Sequence, residues 1–252
     1  MNRNVVIGIE GLVGAGKTSI CREMLKVVPN SVLLNGGNLY RAIVFALTQK
    51  EKNIFRLQKL MKNADIKKYM DDLKIELKIE HNETAIYIDG EKADEEKLQS
   101  NTSSLYVSII GGIADNTKLF EFARDYINEL KSEYNIIVSG RALMKIYPQI
   151  DYHIFITADI EQRVNRKCIQ YSKDIEENIV SKNEVKKSII RRDKLQKIAG
   201  FYKVYPNTIK IDTTDCKSIS ESTQKVLKTI KLSCMEEKKS YGVCKWKITR
   251  VK

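Results

Sequence analysis

Eight residues near the N-terminus constrain this chain more than any other stretch. Residues 11–18 read GLVGAGKT, a full match to GxxxxGK[ST], and they follow the apolar, β-branched run VVIGI at residues 5–9. Glycines in such a loop let backbone N–H groups converge on an anion without Cβ clashes. A helix beginning near Lys17 turns the positive end of its dipole toward the same point. Lys17 is then placed to reach the β- and γ-phosphates of a nucleoside triphosphate, and Thr18 to offer its hydroxyl to Mg²⁺. Gly11, Gly14, Ala15, Gly16, Lys17 and Thr18 are the expected triphosphate-binding residues, with Lys17 also catalytic and Thr18 the metal contact. A structural turn is the bland alternative. The buried strand before the loop and the helical spacing after it, with Ile20, Met24 and Leu25 apolar, favour the phosphate loop.

The remaining pattern extends that first strand and helix into a layered fold. Short apolar runs at residues 135–138, 153–156 and 208–211 read as buried parallel strands. Helical spacing recurs at residues 39–47, 119–130, 159–171, 182–197 and 218–230, with one or two lysine-rich helices over 53–70. Strands alternating with helices predict an α/β fold, a doubly wound parallel sheet of the P-loop NTPase type flanked by helices. Residues 73–78 and 84–88 instead alternate apolar and polar side chains beside the turn signal Asp89-Gly90, which predicts a small inserted antiparallel subdomain. The sequence NGGN at 35–38 reads as a loop.

Composition narrows the class. Of 252 residues 42% are hydrophobic, enough to bury a sizeable core, and no apolar run approaches the ~20 residues that span a bilayer. No signal peptide is evident and a cytoplasmic location is expected. The five cysteines are odd in number and none is spaced as CxxC, so free thiols are expected rather than zinc. The net charge of +12 is concentrated: residues 182–203 hold eight basic and two acidic side chains, and residues 232–252 hold six and two. Either segment suits phosphates, although a solvated face is the usual meaning of a charge run. His81 and His153 are expected to be structural or exposed. Trp246 is expected to pack back on the core.

A phosphate loop alone does not choose among its many users. No NKxD-like loop supports a GTPase, and the strand at 135–138 ends in Ser139 rather than an acid. Other segments are more specific. NGGNLYR at 35–41, IDGE at 88–91, a serine-bearing stretch at 103–112, SGR at 139–141, FITADIEQRVNRK at 155–167, IRRD at 190–193 and IDTT at 211–214 together resemble the bacterial cytidylate kinase family over about residues 4–231. The resemblance implies an ATP- and Mg²⁺-dependent nucleoside-monophosphate kinase, with CMP or dCMP as the expected acceptor. It implies that Gly36, Arg41, Ser108, Arg141 and Asp193 bind the acceptor. It further implies that Arg163 meets the nucleotide, and that Arg141, Arg191, Arg192 and Asp193 serve catalysis beside Lys17. The implied division is a kinase core of residues 1–34, 114–171 and 201–231, a monophosphate-binding insert at 35–113, a lid at 172–200 and a basic extension at 232–252. The partners implied are small nucleotides, with no membrane or nucleic acid, and the chain is expected to be a monomer whose tail is free for another contact.

The chain also departs from the family. Ser139 and Ala142 stand where the family's DGRD has acids, Asn35-Gly36 replaces Asp-[ST], and Gln196 and Thr117 stand where arginines are expected. Two rivals therefore stay open. Deoxynucleoside kinases share Ile-Glu-Gly before such a loop, and a nucleotide-binding regulatory protein needs little turnover.

Overall fold

The computed structural model describes residues 4–51, 53, 55–57, 59, 66–95, 98, 117–174, 181–230, 232–235 and 245–248. Its centre is strand β1 (Val6–Gly11), buried at every position. Strands β2 (Ser31–Asn35), β6 (Asn135–Ser139), β7 (Tyr152–Thr157) and β8 (Thr208–Asp212) run parallel to it in the order β2-β6-β1-β7-β8. The sequence explains this burial. Val6, Ile7 and Ile9 alternate between two apolar layers, so both faces of β1 must be covered. On one face Ile7 and Ile9 meet Ile20 and Met24 of α1 (Lys17–Leu25) and Val226 and Leu227 of α8 (Ile219–Thr229). On the other, Val6 and Val138 meet Ile127 and Leu130 of α4 (Thr117–Glu133) and Leu143 of the short α5 (Leu143–Ile146).

The antiparallel strands exist, but they do not form a sheet of their own. β3 (Ile75–Glu80), β4 (Glu83–Ile88) and β5 (Glu91–Lys92) pair antiparallel with one another, and β4 docks parallel on β2 through Leu33 and Glu83. The result is one sheet of eight strands. A separate apolar cluster lies under this edge. Leu39 and Ile43 of α2 (Gly36–Lys50) pack there with Met70 of α3 (Ile66–Asp72), Ile75 and Ile86.

Two local expectations are corrected. Residues 31–35 form a central strand, which the Gly-Gly pair directly after them masks in the sequence. The NGGN stretch is not a loop, because α2 begins at Gly36 and Asn35 caps it by accepting from Asn38 N at 3.2 Å. An asparagine at the N-cap outweighs two glycines confined to the first turn, where intrahelical N–H partners are lacking anyway.

Helices α6 (Ile160–Asp174) and α7 (Lys182–Ile198) pack beside the phosphate loop. α7 starts with a full capping box, Ser181 and Glu184 each bonding the other's backbone N–H. Beyond the core, β9 (Leu232–Met235) and β10 (Lys245–Ile248) of the basic extension pair antiparallel.

Candidate nucleotide site

Loop 11–18 leaves the carboxyl end of β1, where open α/β sheets bind their ligands. Its glycines carry the geometry. Gly11, Gly14 and Gly16 have φ values of 151°, 76° and 87°. A Cβ on Gly11 would come within 2.2 Å of Ile156 O on the neighbouring strand. The loop is pinned from behind. Val13, 3% exposed, packs with Val164, Val185 and Ile189 of the two flanking helices, a burial worth about 1.5–3 kcal/mol for a valine. Arg163 Nη1 donates to Val13 O at 3.0 Å, and Arg166 Nη1 donates to Ala15 O at 3.3 Å.

A cavity of about 720 Å³ opens in front of the loop. Gly14, Gly16, Lys17 and Thr18 line it, and so do Gly36, Arg41, Ser139, Arg141 and Arg192. Lys17, Arg41, Arg141 and Arg192 thus bring four cations from four elements to one space. Lys17 Nζ donates to Gly11 O at 3.1 Å and Leu12 O at 2.8 Å, while Arg141 Nη1 donates to Gly11 O at 2.8 Å. Burial lowers the proton affinity of Lys17 well below the usual lysine value, and the Arg141 and Arg192 charges lower it further. Arg41 falls to about 10, first through burial and then through Arg192 and Arg141. Arg192 is lowered too, chiefly by burial, with Arg141 adding to the effect. Its Nε and that of Arg41 are buried without a hydrogen-bond partner among the described residues. Like charges desolvated together are destabilising unless an anion joins them, and the cavity has the shape and chemistry to take one.

Other expected residues lie elsewhere. Gly11 contributes its carbonyl to the two cations, and Ala15 is fully buried in the loop. Arg163 is not on the cavity wall. It sits behind the loop, 7% exposed, bonded to Val13 O and Asp193. Asp193 is also occupied within the protein: it accepts from Val13 N at 3.2 Å, from Tyr202 Oη at 2.5 Å and from Arg163. Arg191 is exposed and is not on the cavity wall. The reason is helical phase. Arg192 and Gln196 are four residues apart and share the inward face of α7, whereas Arg191 is rotated by about 100° from Arg192. Ser108 lies outside the described residues.

Several residues near the site are given no functional role by the sequence. Gln196, buried with no partner for its Oε1 among the described residues, lines the cavity. Tyr202 places its ring 5.7 Å from the Arg141 guanidinium while bonding Asp193. Glu10, 1% exposed, accepts from Leu143 N at 2.5 Å and so steadies the turn that carries Arg141. An acid inside the apolar run before the loop was the available clue to it. Ala142 in that turn holds φ 54°, ψ 31°, a left-handed conformation that disfavours residues with a Cβ.

Comparison with known proteins adds ancestry to this geometry. A family model described as Cytidylate kinase matches residues 7–232. A cytidylate kinase from Thermotoga petrophila is 29% identical over 232 residues, covering 89% of this chain and 96% of that protein. One from Thermotoga maritima is 28% identical with the same coverage. A cytidylate kinase from Bacillus cereus is 24% identical over 234 residues, covering 91% of this chain and 97% of that protein.

Proposed function

Because the chain belongs to the cytidylate kinase family and is therefore a nucleoside-monophosphate kinase, we propose that it moves the γ-phosphoryl group of ATP·Mg²⁺ to CMP or dCMP. The observation that supports this most is the group of four cations, Lys17, Arg41, Arg141 and Arg192, around one cavity at the phosphate loop. The triphosphate lies on loop 11–18 with the N-terminus of α1 behind it, and Mg²⁺ arrives on its phosphates. Such an ion keeps most of its waters and takes few protein ligands, so the Thr18 hydroxyl on the cavity wall is a suitable donor. The acceptor phosphate lies toward Arg41 and Arg141, next to Gly36 at the start of α2. Arg192 on α7 faces the space between them. Bond making and breaking need no covalent intermediate. The protein aligns donor and acceptor and offsets the charge on the transferring group. A cytoplasmic location, where both nucleotides are available, accompanies this reading.

The test is ADP release measured with each common nucleoside monophosphate in turn, in ribose and deoxyribose form. Turnover fastest with CMP or dCMP is expected. Turnover of nucleosides alone would favour the deoxynucleoside kinase alternative, and ATP binding without any turnover would defeat the kinase reading.

Lys17 also makes a pH prediction. Its ammonium is disfavoured in the free protein, first by burial. The native state therefore binds fewer protons than the unfolded chain between the lowered value and 10.5, and this group makes stability rise with pH across that window. A bound triphosphate favours the charged form, so nucleotide binding on the alkaline side should take up a proton. Calorimetric titrations inside that window, in buffers of different ionisation heat, should show net uptake. Net release would contradict the placement of the phosphates beside Lys17.

A further inference from the structure

Arg41 is held by a neutral amide, and the amide is itself held from the phosphate-loop helix. Arg41 Nη1 donates to Asn38 Oδ1 at 3.2 Å, one turn back on α2. Asn38 Nδ2 donates to Glu95 Oε1 at 2.9 Å. Glu95 accepts in turn from Arg22 Nη2, at 3.0 Å to Oε1 and 2.8 Å to Oε2. Arg22 lies on α1, and its Nε donates to both carboxylate oxygens of Glu83 at 3.0 Å. A continuous chain of bonds therefore joins Arg41 to the helix that begins at the phosphate loop.

The residue type at position 38 decides what this chain transmits. A guanidinium only donates and a carboxylate only accepts, so the amide has one orientation here, with Oδ1 toward Arg41 and Nδ2 toward Glu95. Asn38 is 7% exposed, which fixes its rotamer by packing. An acid in its place would pair with Arg41 and neutralise it. An amide fixes the direction of the guanidinium and leaves its charge available. That matters in this cavity, where Arg41 has its proton affinity lowered by burial and by two other arginines.

We propose that Asn38 is a positioning residue, which aims Arg41 at the acceptor phosphate and couples that arginine, through Glu95 and Arg22, to helix α1. This rests on the reading of the cavity as a nucleoside-monophosphate kinase site. The coupling makes Asn38 a determinant of acceptor affinity without itself touching the nucleotide.

The test is steady-state kinetics with the best monophosphate of the wild type, alongside calorimetric binding of CMP and thermal melts. Asn38→Ala should raise KM for the monophosphate on the order of tenfold, with KM for ATP within about twofold of wild type. The isosteric Asn38→Asp should raise it at least as much, because its carboxylate pairs with Arg41. Glu95→Ala should show the same split, while Glu95→Gln, which keeps an accepting oxygen, should restore most of the affinity. The double variant Asn38→Ala/Glu95→Ala should be no worse than Asn38→Ala alone, since the two residues act in series. Equal rises in both KM values, or a change in monophosphate KM and CMP affinity below about twofold in both position-38 variants, would overturn the proposal. A wild type that turns over no monophosphate would defeat the kinase reading instead, and the comparison of CMP affinities would still decide the role of Asn38.

Discussion

Replacing Lys17 by alanine is expected to lower kcat by more than ~100-fold, the consequence of losing ~3 kcal/mol of charge stabilisation in the transition state. The structure adds a second expectation, in the opposite direction. Lys17 is a buried cation among arginines, and its charge is disfavoured by burial and by Arg141 and Arg192. Removing it relieves that repulsion, so the melting temperature of the free protein should hold or rise while activity collapses. Such a trade of stability for function is common at active sites. Lys17→Arg should not rescue activity, because a planar guanidinium does not replace a compact ammonium bonded to Gly11 O and Leu12 O. ADP release with the preferred monophosphate, measured beside thermal melts, checks both halves. A loss of activity below about threefold would remove Lys17 from the catalytic centre.

The contrast between Lys17 and the residues around it shows what the sequence could reveal. Loop 11–18 was legible because its constraints are local: a β-branched run, glycines at positive φ, and a helix start follow one another within a few residues. The parallel strands at 135–139, 152–157 and 208–212 were legible for the same reason, as apolar runs too short for helices. Strand β2 was not, since its apolar residues Val32, Leu33 and Leu34 sit beside a Gly-Gly pair that suggests a loop. Only the sheet neighbours on both sides make it a central strand. The joining of β4 to β2 pairs Leu33 with Glu83, fifty residues apart, beside bonds from Leu33 N to Asn82 O and from Thr84 Oγ1 to Leu33 O, and no local pattern encodes that. Helix phase was the other obstacle. Two adjacent arginines look equivalent in a sequence, yet Arg192 faces the cavity and Arg191 the solvent. Family likeness supplied the cavity arginines Arg41 and Arg141. It could not supply Asn38 or Glu95, whose meaning lies in a three-way contact among segments distant in the chain.

Asp193 gives the sharpest case, because its sequence context pointed to the nucleotide while its bonds point inward. It takes N–H or O–H donation from Val13, Tyr202 and Arg163, and so ties α7, the loop and α6 together. Arg163, with its side chain 8% exposed against 19% for Asp193, has this carboxylate as its ion-pair partner. Breaking a pair of this kind from one side leaves an unpaired buried cation, a loss of about 3–5 kcal/mol, and the partial exposure of Asp193 argues for the lower end. Asp193→Ala should therefore lower the melting temperature by roughly 6–12 °C, taking about 2–4 °C per kcal/mol for a chain of this size. Asp193→Asn, which keeps an oxygen for Val13 N, should lose less. The decisive variant is Asp193→Ala combined with Arg163→Met. Removing both charges exchanges the pair for apolar packing beside Val13, Val164 and Ile189, and most of the stability should return. A nucleotide-contacting carboxylate predicts another outcome: an unchanged melting temperature, a raised KM, and no rescue by the second substitution. Thermal melts of the three variants, with KM for each substrate measured on those that fold, separate a residue that builds the loop from one that binds what the loop holds.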